Sequence, residues 1–408
     1  MLNSRNQRER LLGAAVAAFA DKGYDGTRVA DVLAIAGVSR QTFYQHFANK
    51  HECYMATLDS SLKMAGAAML AGYERTSGTW NERLEAMLQL LMELVIAQPA
   101  AFRMALVEVH AAGRDALELL ETMSDGVERS VMSTLRDSPD QSGLPREAVR
   151  GILAGVRKMI YTRVREGRED ELPALVPGML EWALCYRTPP EPLRQPHEVP
   201  AALAAVRPPD ADGRQRILYA VTDLVAARGY RDVKISDIAE RAAVSLTTFY
   251  GYFDGKEEAF LATLADAQQR LLEATLPAYM STDDWPRAIG AASRAFMAFL
   301  ATDPTTAQLG GVEAWASGRA GLELRAQGLA NFRALLDEGF RRYPDTPPIA
   351  GEAIAASIDS LLFDQLRRAG ADRLYEVAPV GVFLSLAPFI GSDAAAEAAN
   401  EAAIPSLS

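Results

Sequence analysis

VSRQTFYQHFANKHE, from Val38 to Glu52, returns without a gap as VSLTTFYGYFDGKEE, from Val244 to Glu258. Eight of the fifteen positions are identical. The register holds upstream, where Arg8 pairs with Arg214, Gly23-Tyr24 with Gly229-Tyr230 and Asp31 with Asp237. A period of about two hundred residues is far longer than any solenoid repeat, so the chain reads as a duplicated protein.

Each copy opens on an amphipathic helix. Leu11, Leu12, Ala15, Val16 and Phe19 fall on one face, as do Ile217, Leu218, Val221, Leu224 and Val225. Gly23 and Gly229 stop these helices, because glycine tolerates the left-handed conformation at a helix end. A second short helix follows, VADVLAIA from Val29 or ISDIAERA from Ile235. It meets a turn, Gly37-Val38-Ser39 or Ala243-Val244-Ser245, whose serine is placed to cap a third helix. Val38 and Phe43 pack inward, which leaves Arg40, Gln41, Thr42, Tyr44, Gln45 and His46 on the outward side. Two helices fixed in this way form a helix-turn-helix, whose second helix enters a DNA major groove.

Both copies resemble the DNA-binding domain of the TetR family of bacterial repressors. The first copy carries Gly-Tyr-x-x-Thr, then Ala-Gly-Val-Ser-x-x-Thr-Phe-Tyr-x-His-Phe-x-x-Lys. The second carries Gly-Tyr-x-x-Val, then Ala-Ala-Val-Ser-x-x-Thr-Phe-Tyr-x-Tyr-Phe-x-x-Lys. The helical remainder resembles the family's ligand-binding domain in size and class only.

The resemblance implies that Thr27, Tyr44, His46 and Lys50 hold phosphates, as do Tyr250, Tyr252 and Lys256. It places Arg40 and Gln41 at the bases, where arginine suits guanine and glutamine suits adenine. Leu246 and Thr247 stand at the matching positions and offer only apolar or single hydrogen-bond contacts. Arg28, Ser39, Thr42 and Gln45 complete the first candidate DNA face, and Ser245, Thr248 and Gly251 the second. Val233 replaces the phosphate-binding Thr27, with Lys234 beside it to compensate. Ala243 replaces the turn glycine Gly37, at a cost of about 1 kcal/mol if φ is positive there. The two heads are therefore expected to prefer unlike half-sites.

The expected fold is all-α, with two tandem TetR-like modules. Residues 1–60 form the first DNA-binding domain and 61–187 its helical ligand-binding and dimerisation domain. Residues 188–212 form an extended proline-rich linker, since proline fixes φ and donates no backbone hydrogen bond. Residues 213–266 form the second DNA-binding domain, 267–391 the second helical domain and 392–408 a flexible tail. Helix breaks are expected near Gly78, Pro99, Gly113, Pro139 and Gly167, and near Pro286, Pro304, Gly318, Pro344 and Gly370. By resemblance, Arg146–Glu166 with Leu172–Tyr186 should pack on Ile349–Ala369 with Arg373–Phe389. One chain would then supply both heads as a pseudo-dimer, with a homodimer of chains as the alternative.

Composition narrows the function. A chain of 408 residues has room for two to four domains. A net charge of −11 argues against a protein coated in nucleic acid but leaves room for a small local binding face. Cys53 and Cys185 lie outside any CxxC spacing, which fits a reducing compartment and offers no zinc site. The four histidines form no convincing pairing, and GxSxG, P-loop, GxGxxG and HExxH motifs are not found. No enzyme activity, metal or cofactor is expected. Arg5, Arg8 and Arg10 before LLGAAVAAF imitate a signal peptide. The internal copy at RQRILYAVTDLVAARGY cannot be one, and no apolar run approaches the roughly 20 residues of a membrane span. A cytoplasmic regulator is expected, bound to double-stranded operator DNA and released by a small, largely apolar effector.

Blander readings stand beside these. Tyr44 and Tyr250 could be core aromatics, and Lys50 and Lys256 ordinary surface lysines. Met87, Met92, Met104, Met123, Met132 and Met159 read as core filler before they read as a ligand pocket. Trp315, Phe296 and Phe299 carry the same ambiguity. The rival function is a helical interaction scaffold that has lost DNA binding.

Overall fold

The computed structural model describes residues 2–196, 210–311, 313–316 and 319–403. Gly318, expected as a helix break, and the Trp315 side chain lie outside the described part, as does residues 197–209 of the linker.

Among the described residues every regular element is helical. The first copy runs α1 (Leu2–Gly26), α2 (Val29–Ala36), α3 (Arg40–His46) and α4 (Lys50–Arg75). It continues through α5 (Trp80–Ala97), α6 (Pro99–Arg103), a π turn (Met104–Glu108), α7 (Val109–Ala112), α8 (Arg114–Leu135), α9 (Arg146–Glu166) and α10 (Leu172–Leu184). The second copy repeats the order with α11 (Gly213–Arg228), α12 (Ile235–Arg241), α13 (Leu246–Tyr252) and α14 (Lys256–Tyr279). Next come α15 (Trp285–Thr302), α16 (Pro304–Gly311), a 3-10 turn (Glu313–Ala316), α17 (Arg319–Arg342), α18 (Ala350–Ala369), a 3-10 turn (Ala371–Val377) and α19 (Ala378–Ile390). A last helix, α20 (Ser392–Ala402), closes the described chain.

The chain folds as two compact units whose border does not follow the repeat border. Unit 1 comprises Met1–Ser142 and Arg157–Glu181; unit 2 comprises Gly143–Val156 and everything from Trp182 onward. Unit 2 thus takes in parts of the first copy as well as the second.

In unit 1, the helix-turn-helix shares one hydrophobic core with the helices that follow it. Leu11, Phe19, Phe43, Tyr54 and Leu58 are fully buried together with Met104, Val109 and Ala116. The Tyr54 hydroxyl donates to the Met104 carbonyl at 2.8 Å. Met92, Met104 and Met159 are fully buried, so these three are core filler. Cys53 is buried as well, and desolvation pushes its thiol up to about 12. In unit 2, Ile217, Phe249 and Phe260 are buried in one cluster with Leu309 and Ala314. Each helix-turn-helix is therefore joined to the helices that follow it by apolar packing.

Unit 2 also holds segments of the first copy against the last helices of the second. Tyr186 is fully buried, touches the Phe383 ring at 6.1 Å and donates its hydroxyl to the Leu384 carbonyl at 2.9 Å. Gly151 sits against Leu384, and Gly155 against Ser357, the Ala353 carbonyl and Trp182. These glycines bring helices together closely enough that a methyl group would clash. Arg373–Ile390 is the one described helical stretch apolar enough to be a candidate span, and 72% of it is buried inside the protein. It is a core element of this seam.

Two expectations need correction. Residues 392–402 are not a flexible tail: α20 buries Ala395, Ala396, Ala399 and Asn400. Its small side chains, with alanine's high helix propensity, let it lie close on its neighbours. Nor is the start of the linker free. Arg187 donates its backbone N–H to Ser392 Oγ at 2.7 Å, and Arg194 donates its own to Asn400 Oδ1 at 2.7 Å. Asn400 Nδ2 returns a bond to the Pro192 carbonyl at 3.3 Å. A proline-rich stretch has few backbone partners of its own, and α20 supplies acceptors for two of its N–H groups and a donor for the Pro192 carbonyl.

The turn of the second helix-turn-helix carries strain that the first lacks. Gly37 has φ 61° and Ala243 has φ 52°. An L-residue pays about 1 kcal/mol for that region. Ala243→Gly should therefore raise the thermal midpoint of the chain. Gly37→Ala should lower it, since its new Cβ would also lie 3.1 Å from Arg10 Nη2. Differential scanning calorimetry of both variants tests this.

Candidate nucleic-acid interface

The recognition helices α3 and α13 have seven residues each, too few to hold together alone. Their position is imposed by the surroundings. Ser39 Oγ accepts the Thr42 amide at 3.0 Å, and Ser245 Oγ accepts the Thr248 amide at 2.9 Å. These caps are worth about 1 kcal/mol each. Phe43 and Phe249 point inward with no exposed surface, and Phe47 and Phe253 close the helix ends.

Further struts recur at equivalent positions. Arg10 Nη2 donates to the Ala36 carbonyl at 2.5 Å, and Arg216 Nε to the Ala242 carbonyl at 3.0 Å. Arg8 lies over the Phe47 ring at 5.8 Å, and Arg214 over Phe253 at 5.6 Å. Lys22 pairs with Asp31 at 2.5 Å, and Arg228 with Asp237 at 3.3 Å. The Lys22 hydrogen bond and the Arg28 amide hold the Asp31 carboxyl below its ordinary range. The cationic partner thus offsets part of the acidic charge near the first head.

With the inward side fixed, the outward side is determined. Arg40, Gln41, Tyr44 and Gln45 are exposed on α3, with His46 half-buried at its end. On α13, Leu246, Thr247, Thr248, Tyr250, Gly251 and Tyr252 are all exposed. Tyr44 is 49% and Tyr250 55% exposed, which disposes of the core-aromatic reading for both. The Arg40 guanidinium lies 6.0 Å from the Tyr44 ring, so the two form a planar, cationic edge on the helix. Ser39, Thr42, Ser245 and Thr248 have their hydroxyls joined in pairs at 2.9 and 2.8 Å, at the N-terminal tip of each helix. Arg28 and Lys234 are exposed at the N-termini of α2 and α12.

Two groups are placed differently from expectation. Thr27 is buried, and its hydroxyl donates to the carbonyls of Ala18 at 3.0 Å and Gly23 at 2.6 Å. Its amide is bound to Gly23 as well, so it presents no donor at the surface. Val233 is buried at the same place. The difference between the copies that invited Lys234 as a compensating phosphate contact is one of core packing. Lys50 and Lys256, for their part, are neither ordinary surface lysines nor free cations. Lys50 Nζ donates to the Tyr24 carbonyl at 2.7 Å and sits 4.4 Å from the Tyr24 ring. Lys256 Nζ donates to the Tyr230 carbonyl at 2.9 Å and sits 4.5 Å from that ring. Burial pulls the Lys256 ammonium below its ordinary value. An ammonium has three donors, so each lysine keeps capacity for one more acceptor.

Sequence reading missed Glu108 and Glu313, which hold the loop between the first two helices of each head. The Tyr24 amide donates to Glu108 Oε2 at 2.8 Å, and the Tyr230 amide to Glu313 Oε2 at 3.0 Å. A signal was present. VEVHAAGR from Val107 returns as VEAWASGR from Val312, and Trp80, Met92 and Pro99 return as Trp285, Met297 and Pro304. This register is one residue shorter than that of the heads, and the slip hides it from an ungapped comparison.

The sequence profile described as "Bacterial regulatory proteins, tetR family" matches residues 11–57 and 217–263. Each head matches the tetR family. The two matches run from within α1 to within α4, and from within α11 to within α14. The chain is 28% identical over 103 residues to an uncharacterised HTH-type transcriptional regulator, YdgC, of Bacillus subtilis. It is 32% identical over 97 residues to the HTH-type transcriptional activator FasR of Mycolicibacterium smegmatis. Each match takes 24% of this chain, and the matched segments span about half of the relatives' length, 53% and 44%. The fatty acid degradation regulator FadR from Bacillus halodurans is a similar solved structure. It is 16% identical, with a TM-score of 0.40 over 43% of this chain and 97% of that one.

The placement of Thr27 has a direct test. Thr27→Val copies what the second head already has, so affinity for a selected duplex should change less than about twofold. A surface phosphate contact would instead cost about tenfold and reduce the salt dependence of binding. Fluorescence anisotropy at two salt concentrations separates these outcomes.

Proposed function

We propose that this chain is a sequence-specific, DNA-binding transcriptional regulator rather than an enzyme, carrying two unlike reading heads on one polypeptide. The observation that carries this reading is the pair of capped, seven-residue helices whose outward faces differ while their struts repeat. Arg40, Gln41, Gln45 and His46 face Leu246, Thr247, Gly251 and Tyr252 in the repeat alignment. The scaffold residues at the same helices are identical or keep their charge. A protein that had abandoned DNA would have no reason to keep Tyr44 and Tyr250 exposed at matching sites.

In this mechanism Arg40 and Gln41 read bases through the major groove. Tyr44, His46, Arg28 and Lys50 hold the flanking phosphates of the first half-site, and Tyr250, Tyr252, Lys234 and Lys256 those of the second. The hydroxyl pairs Ser39–Thr42 and Ser245–Thr248 approach the backbone at the helix tips. Leu246 and Thr247 suit thymine methyl groups, so the favoured operator is asymmetric. The packing of Tyr186, Gly151 and Gly155 onto α18 and α19 supports a single-chain pseudo-dimer. Those helices already meet a partner from their own chain where a symmetric dimer would need a second subunit. A small, largely apolar effector held by the regulatory helices would release the DNA by preferring a conformation unfit for both half-sites. The chain acts in the cytoplasm, as a repressor.

Selection of bound duplexes from a random pool should yield one asymmetric site with two unlike halves. A palindrome would refute the unlike heads, and no enrichment would refute the regulator reading. On the selected site, Arg40→Ala should cost about 1–3 kcal/mol and relax preference in one half only. Sedimentation equilibrium should give a mass near 44.2 kDa, that of one chain. A stable two-chain species would overturn the pseudo-dimer.

A further inference from the structure

We infer that Glu108 and Glu313 are the positioning residues that couple the regulatory helices to the two reading heads, one for each head. This rests on the regulator reading above and specifies how it is controlled. The geometry is the same in both copies. α1 breaks its winding at Gly23, with φ 72°, three residues before its end, and α11 is followed by Gly229 with φ 81°. That left-handed step swings the next amide out of the helix and toward the regulatory segment, where the carboxylate accepts it. The glycine itself lies under the carboxylate: a Cβ on Gly23 would stand 3.1 Å from Glu108 Oε2, and one on Gly229 3.6 Å from Glu313 Oε2.

The tyrosine so held is gripped from its other side too. Its carbonyl receives the ammonium of Lys50 or Lys256, the first residue of the helix that follows the recognition helix. A line of hydrogen bonds thus runs from a regulatory carboxylate to the Gly-Tyr turn, to the lysine, and so to the end of the recognition helix. Amide-to-carboxylate and ammonium-to-carbonyl bonds are charge-assisted and roughly twice as strong as neutral ones. The carboxylates sit on irregular backbone in both copies. Glu108 ends a π turn, and Glu313 begins a 3-10 turn. Such segments interrupt a helix where it can change its winding, and they recur at functional positions. A rewinding there would move the carboxylate relative to the Gly-Tyr turn and draw the head with it. Each head is clasped within its own copy, so each should respond by itself.

Hydrogen–deuterium exchange of the full chain, free and bound to its selected duplex, tests the clasp. In the free protein, Glu108→Ala should speed exchange at the Tyr24 amide by about tenfold or more and leave Tyr230 unchanged, with Glu313→Ala doing the reverse. General destabilisation would speed both. Glu108→Gln, which keeps an acceptor oxygen, should restore most of the protection. On DNA binding, the unsubstituted chain should gain protection both in α3 and in residues 99–112, because coupling is reciprocal. Glu108→Ala should keep the first gain and lose the second. A DNA-binding Glu108→Ala protein whose residues 99–112 still respond would overturn the clasp alone. Failure of the unsubstituted chain to bind any duplex would overturn the regulator reading and the clasp together.

Discussion

The rotation of each recognition helix about its own axis depends on one buried side chain. Phe43 and Phe249 leave no surface exposed, and every outward residue of α3 and α13 is outward because these rings are not. Seven residues make barely two turns, with too few internal hydrogen bonds to offset the cost of ordering them. Removing a buried phenylalanine ring costs about 3–5 kcal/mol, more than the serine cap and the cation–ring contacts can replace. The heads are therefore read as surfaces only because their interiors are rigid. The shared cluster with Met104 and Val109, or with Leu309 and Ala314, extends that packing into the helices that follow each head.

Much of this was legible in the sequence, for a definable reason. The helices of the heads carry their own stop and cap residues, so Ser39, Gly229 and Ser245 mark boundaries that the backbone obeys, and Gly23 marks a kink three residues before α1 ends. The breaks at Pro99, Gly113, Gly167 and Pro304 fall where helices end or begin. The strain at Ala243 follows from the repeat alone, since its partner is a glycine. What was not legible depends on tertiary neighbours. Thr27 looks like a surface donor by type and by resemblance, but two carbonyls at the end of α1 claim its hydroxyl. Nothing local says so. The residues after Gly391 look like a polar, alanine-rich tail, and only the surface they cover makes them a helix. Glu108 and Glu313 were visible as a repeat, hidden by a one-residue slip between Arg75 and Trp80.

The repeat also separates two kinds of residue without any outside comparison. Several positions whose partners lie inside the protein kept their chemistry in both copies, Arg10 and Arg216, Lys50 and Lys256, Glu108 and Glu313, although Thr27 gave way to Val233. On the outward faces Arg40 stands against Leu246 and Gln45 against Gly251, while Tyr44 and Tyr250 agree. His51, by contrast, bridges the Tyr24 hydroxyl at 2.8 Å and Asp115 at 2.6 Å in the first copy only, where the second has Glu257. The heads share a frame but not every brace.

Ala243 shows what duplication permits. In a symmetric assembly of identical subunits, any mutation is expressed twice, and a left-handed alanine would weaken both heads together. Here the same mutation burdens one head while its glycine-bearing sister is untouched. Half the mutational load per step is a wider path for drift, and a chain built this way can explore binding surfaces that a homodimer would lose before they became useful.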